Sequence, residues 1–119
     1  MDMGTWGAGN FASDAALDFI AHQMRRYITL INEIFADEDR FRLDEDAESE
    51  LMPSVEILIV LCEHCAGILP KGLDVAAWKQ RYLEMYDAQI DGLAPVPGHK
   101  EERRTVIEHT FDRLLTHQR

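Results

Sequence analysis

Apolar residues recur along the first third of the chain at Leu17, Ile20, Met24, Tyr27, Ile31 and Ile34, in steps of three and four, with Phe19, Ile28 and Phe35 widening the stripe. That period marks a helix with one buried face. Ser13 is placed to cap it and Asp14 puts negative charge in its first turn, so the pattern predicts a helix over 14–36. A second block, 53–69, has Val55, Leu58, Ile59, Cys62, Ala66 and Leu69 on one face and Ile57, Val60, Leu61 and Ile68 elsewhere. Apolar on most sides, it is expected to be the central helix. Pro53 suits its first turn, although 47–52 can already be helical, and Pro70-Lys71-Gly72 ends it. Val75, Trp78, Tyr82, Met85 and Tyr86 carry a third helix over 75–90, with Asp74 as its cap. The stretch 92–98, with two prolines, separates it from a fourth over 99–117, whose face is Val106, Ile107, Phe111, Leu114 and Leu115. No stretch alternates with period two. The expected fold is all-α, a single compact domain spanning 1–119 with about four helices around one core.

The segment ahead of the first helix has a different composition. Met3 to Phe11 contains Gly4, Gly7 and Gly9 together with Trp6 and Phe11, which predicts a shaped loop over 1–12 whose aromatics anchor it on the bundle. Gly7 to Ala12 matches the dinucleotide fingerprint G-x-G-x-x-A, but the six residues before it cannot supply the β-strand that motif needs. A glycine turn leading into a capped helix is the better reading.

Charge adds a second pattern. Twelve basic residues against 22 acidic ones give −10, and the stretch 37–50 alone holds eight acidic residues against Arg40 and Arg42. It is expected to be a solvated acidic connector. Such a balance disfavours a nucleic-acid backbone and an anionic membrane surface, because neither gains from an acidic protein. The longest apolar run, Ile57 to Cys62, is bounded by Glu56 and Glu63, which is too short to span a bilayer. No leader-like pattern opens the chain, and Cys62 and Cys65 sit inside an apolar run; a reducing cytoplasm is the simpler expectation.

Candidate chemistry is sparse. Cys62-Glu63-His64-Cys65 has no second cysteine pair to complete a zinc site, and its place in an apolar helix favours buried, inert thiols. A calcium loop counted from Asp37 puts Phe41 at the fifth place, where an oxygen ligand belongs, and no glycine at the sixth. No His-Glu-x-x-His and no serine elbow occurs. Asp18 and His22, four apart on the first helix, are the best acid/base or metal candidates, ahead of Glu63 with His64 and His109 with Asp112. No catalytic residue, metal or cofactor is assigned.

The opening Met3-Gly4-Thr5-Trp6-Gly7-Ala8-Gly9-Asn10-Phe11, followed by Asp14, Ala16 and Asp18, resembles the start of a bacterial family described only as a domain of unknown function. Further along, the resemblance is confined to Leu43-Asp44 and a helix containing Glu56. It implies a short, acidic, helical domain and brings no activity, cofactor or catalytic residue. The residues that carry it suggest a clasp in which Asp14 or Asp18 accepts hydrogen bonds from the glycine-loop amides and fixes Trp6 on the bundle.

The functional expectation is a non-enzymatic, cytoplasmic interaction module that binds a basic macromolecular partner, in its most concrete form an immunity protein covering a basic toxin. The expected contact is Asp44, Glu45 and Asp46. The alternative is a small-ligand or metal-dependent protein with a pocket among Trp6, Asp18 and His22. A monomer or a homodimer is expected, with Trp78, Tyr82 and Tyr86 as a possible two-fold interface.

Overall fold

The computed structural model describes residues 7–118. Ser13 Oγ accepts the Ala16 amide at 3.1 Å and opens α1, Asp14–Ala36. Ile20, Met24, Ile31, Ile34 and Phe35 form its buried face and Tyr27 is half-buried, while Phe19, expected to widen the stripe, is instead exposed. Phe11 packs against the same core and ties the end of the glycine loop to the bundle. The residues Gly4 and Trp6 of that loop lie outside the described residues.

The next helix starts earlier and stops sooner than its apolar pattern implies. A π-helical turn, Ala47–Leu51, runs directly into α2, Met52–His64, with the Met52 amide bonded to the Ala47 carbonyl. Pro53 has no amide to donate and its ring crowds the carbonyl four residues back, so a widened turn accommodates it where a regular α-turn would clash. At the other end Ala66 takes a left-handed backbone, φ 57°, and the Gly67 amide reaches the Leu61 carbonyl at 2.8 Å. This reversal terminates the helix at His64 instead of 69, leaves Ile68 exposed and still buries Leu69.

Asp74 Oδ1 caps α3, Val75–Gln89, by accepting the Ala77 amide at 3.0 Å; a 3₁₀ turn, Ile90–Leu93, follows, and α4 covers His99–Leu115. Val75, Trp78, Tyr82, Met85 and Tyr86 are all buried, as the spacing predicts, and this overturns the two-fold interface expected of Trp78, Tyr82 and Tyr86. Those rings form the core: Tyr82 lies 5.9 Å from Phe111 and 6.0 Å from Phe41, and Trp78 lies 6.2 Å from Phe35. On α4, Ile107, Phe111 and Leu114 are buried whereas Val106 is 46% exposed.

α2 packs against both α1 and α4, α3 packs against α4, and the π turn packs against α1 and α2. α3 is tied to α1 by Trp78 Nε1 donating to Asn32 Oδ1 at 3.2 Å and by Arg81, which donates to the Phe35 carbonyl. The architecture is therefore an all-α domain of four α-helices, with no strand among the described residues. No helix among them is long and apolar enough to cross a membrane.

Candidate functional site

The connector between α1 and α2 is folded, which corrects the expectation of a solvated run. Asp37 Oδ1 accepts the amides of Asp39 at 2.9 Å and Arg40 at 3.3 Å, turning the chain back as α1 ends. Phe41 then packs against Phe35, the rings tilted by 58° with centroids 4.8 Å apart, Leu43 and Ala47 enter the core, and the Leu43 amide donates to Gln89 Oε1 at 3.0 Å. Burial of these apolar groups brings the connector carboxylates close to cations. Arg40 Nε meets Asp46 at 2.6 Å and its Nη2 lies 3.9 Å from Glu50; Arg103 pairs with Glu48 through two bonds; Arg42 lies 3.4 Å from Asp44.

This pairing divides the three expected contact residues. Asp44 and Glu45 are exposed, whereas Asp46 is half-buried and engaged by Arg40, whose hydrogen bond holds its carboxyl below the usual 3.8. Among the described residues of the connector, Asp37, Glu38, Asp39 and Glu45 have no ion-pair partner, and of these Asp37 is engaged by backbone amides.

Two grooves open beside Glu38. One, of about 580 Å³, runs between the connector and the end of α3 and is lined by Phe41, Ala88, Gln89, Gly92 and Leu93 with Glu38 and the Asp44–Arg42 pair. Glu38 also borders a shallow concavity at the end of α1, together with Glu33, Asp37 and Arg40. Neither α1 nor α3 carries a basic residue in its last turn; Arg81 of α3 meets the end of α1 at the Phe35 carbonyl, whereas the negative end of the α3 dipole adds to the carboxylates beside it.

A third cleft, of about 230 Å³, lies between the π turn and α4 and is lined by Glu48, Met52, Pro53, Glu56, Arg103, Val106 and Thr110. The Tyr82 phenol lies beside the Glu48–Arg103 pair, fully buried and with no hydrogen bond of normal geometry, and burial followed by the nearby Glu48 carboxylate pushes its pKa up. A buried hydroxyl without a partner destabilises a fold, so Tyr82→Phe is expected to raise stability by about 1 kcal/mol, read as a higher denaturation midpoint at unchanged slope. A lower midpoint would mean that the hydroxyl has a bonded partner.

The N-terminal candidates are not brought together. Asp14 and Asp18 are exposed, Gly7 and Gly9 are exposed, and among the described residues no loop amide donates to either carboxylate. The clasp is therefore unsupported over Gly7–Phe11, and its Gly4 and Trp6 part falls outside the described residues. His22 borders an open concavity with Arg25, Arg26, Thr29, Leu30 and Glu33, a lining that does not include Asp18. Asp112 is taken by Lys79 at 2.7 Å, Cys62 and Cys65 are free, and burial pushes the Cys62 thiol up, away from thiolate chemistry. Among the described residues no group of three or more His, Cys, Asp or Glu side chains is placed to hold a metal.

Acid sensitivity follows from the pairs. The Arg40 bond lowers Asp46 and the Arg104 bonds lower Asp87, both from 3.8; Glu63 is raised by burial but lowered further, below 4.5, by Arg113 and His117. A carboxyl whose folded pKa is depressed stabilises the fold above its unfolded pKa and loses that contribution as pH falls through the folded value. The melting temperature is thus expected to be flat above about pH 5 and to drop from about pH 4 downward. A thermal scan series across pH 7 to 2.5 reads it directly.

Comparison of the chain with protein-family models, with curated proteins and with solved structures returns no match.

Proposed function

We propose that this chain is a non-enzymatic interaction module that docks a basic protein against the acidic face of its connector, with immunity-type neutralisation as the most concrete form. The observation that carries the reading is what pairing leaves over: Arg40 and Arg103 engage Asp46, Glu50 and Glu48, while Glu38, Asp39 and Glu45 remain exposed and, among the described residues, without an ion-pair partner, with Glu38 at the edge of an open groove beside the end of α3. Complementary potential of this kind accelerates encounter and fixes register more than it adds affinity.

The kinship suggested by Met3–Phe11 is proposed alongside; it brings no activity and adds nothing to the docking reading. The test keeps Asp46 in place, because its loss would free Arg40 and disturb the connector. The double variant Asp44→Asn with Glu45→Gln is expected to retain its melting temperature and to weaken capture of a basic partner, most strongly at low salt. A partner whose binding is indifferent to salt and to this variant would overturn the reading.

A further inference from the structure

We infer that the groove between the connector and the end of α3 is the docking cleft itself, and that it takes a segment of the basic partner in which an arginine or lysine adjoins an apolar residue. The inference rests on the interaction-module reading and names the chemistry of its occupant. Three observations carry it.

The first is that the groove is two-sided in chemistry. Its apolar lining is Phe41, Ala88 and Leu93, the last 48% exposed; its charged members are the Asp44–Arg42 pair and Glu38, which among the described residues has no ion-pair partner and is the groove's unpaired charge. A purely basic segment would leave Leu93 uncovered and a purely apolar one would bury Glu38 without a partner. An alternation of the two satisfies both.

The second is the placement of backbone charge. Ala88 and Gln89 are the last residues of α3, its last turn holds no basic side chain, and Glu38 stands just beyond the end of α1, which also lacks one. The α1 end is met by Arg81 at the Phe35 carbonyl, whereas the α3 end faces this groove with no cation from its own last turn, a field that favours an incoming ammonium or guanidinium.

The third is that the chain already uses this recognition chemistry on itself. The Arg81 guanidinium carbon sits 5.2 Å from the Phe35 ring and 5.4 Å from the Phe41 ring, and the same group donates to the Phe35 carbonyl at the end of α1. A guanidinium held by an aromatic face and a helix-end carbonyl is a working internal example, and Phe41 belongs to both that arrangement and the groove.

The probe is a hexapeptide alternating arginine and leucine with blocked ends, titrated into the isotope-labelled full chain and followed by amide shifts, beside a second peptide alternating arginine and serine. The largest shifts are expected at Phe41, Ala88, Gly92 and Leu93. Affinity for the first peptide is expected to fall about tenfold with Glu38→Lys and severalfold with Leu93→Ser, both exposed positions, and the serine peptide is expected to bind more weakly. Shifts centred on Asp39 and Glu45 instead would overturn the groove and leave the acidic module standing. Equal binding of the two peptides would overturn the apolar half of the inference. Absence of binding by either peptide, in a chain that still captures a basic protein in a salt-sensitive way, would likewise remove the groove and spare the module.

Discussion

Phe111→Ala is expected to destabilise the domain by about 3–5 kcal/mol, the usual range for truncating a fully buried aromatic. Phe111 is shielded from solvent on α4, and its ring meets Tyr82 of α3, which in turn meets Phe41 of the connector. The cavity would thus open at the junction of three separate segments, where collapse of any one wall strains the others. Against a total stability of about 5–15 kcal/mol for a domain of this size, the melting temperature should fall by more than about 10 °C. Val106→Ala, on the same helix but largely exposed, should stay within about 0.5 kcal/mol of the parent. Equal effects of the two substitutions would contradict the packing described for α4.

Gly67→Ala should cost about 1–3 kcal/mol, because the loop after α2 leaves no room for a methyl group. An added Cβ would lie 2.6 Å from Met24 Sδ and 2.9 Å from the Leu61 carbonyl oxygen. The requirement is one of space, since the left-handed residue in this turn is Ala66 and not Gly67. Met24 is itself buried on α1, so the glycine is what lets α1 seat against the end of α2. Shortening the neighbour with Met24→Ala should not rescue the variant, because the Leu61 backbone still occupies the space and Met24→Ala opens a cavity of its own. Full rescue in the double variant would place the whole conflict in the Met24 side chain.

Much of the fold was legible from local pattern. Ser13 and Asp74 cap the helices they were expected to cap, and the five apolar positions of α3 are all buried. Apolar spacing reports which face of a helix turns inward, and a cap reports where the helix begins; both are short-range properties. The end of α2 was not legible, because apolar residues continue through Ile68 and Leu69 while the helix is broken by a left-handed alanine, a residue that gives no such signal. Phe41, Leu43, Ala47 and Leu51 were hidden among acidic residues, although their apolar character was the available clue that the connector was more than a charged loop.

The candidate site was legible only as a charge total. The sequence by itself determined an all-α domain with four apolar-striped helices, two of them with legible caps, and an acidic excess concentrated in 37–50. Only the tertiary structure decided which of those carboxylates face outward. Glu48 and Arg103 stand 55 positions apart, and Leu43 bonds Gln89 across 46, so their partnership depends on how helices pack rather than on any spacing along the chain. Coulomb attraction acts through space, and a carboxylate becomes an internal tie or a free docking group according to whether packing brings a cation within reach. That is why Asp46 belongs to the fold, while Glu38, absent from the expected contact, stands at the edge of the groove.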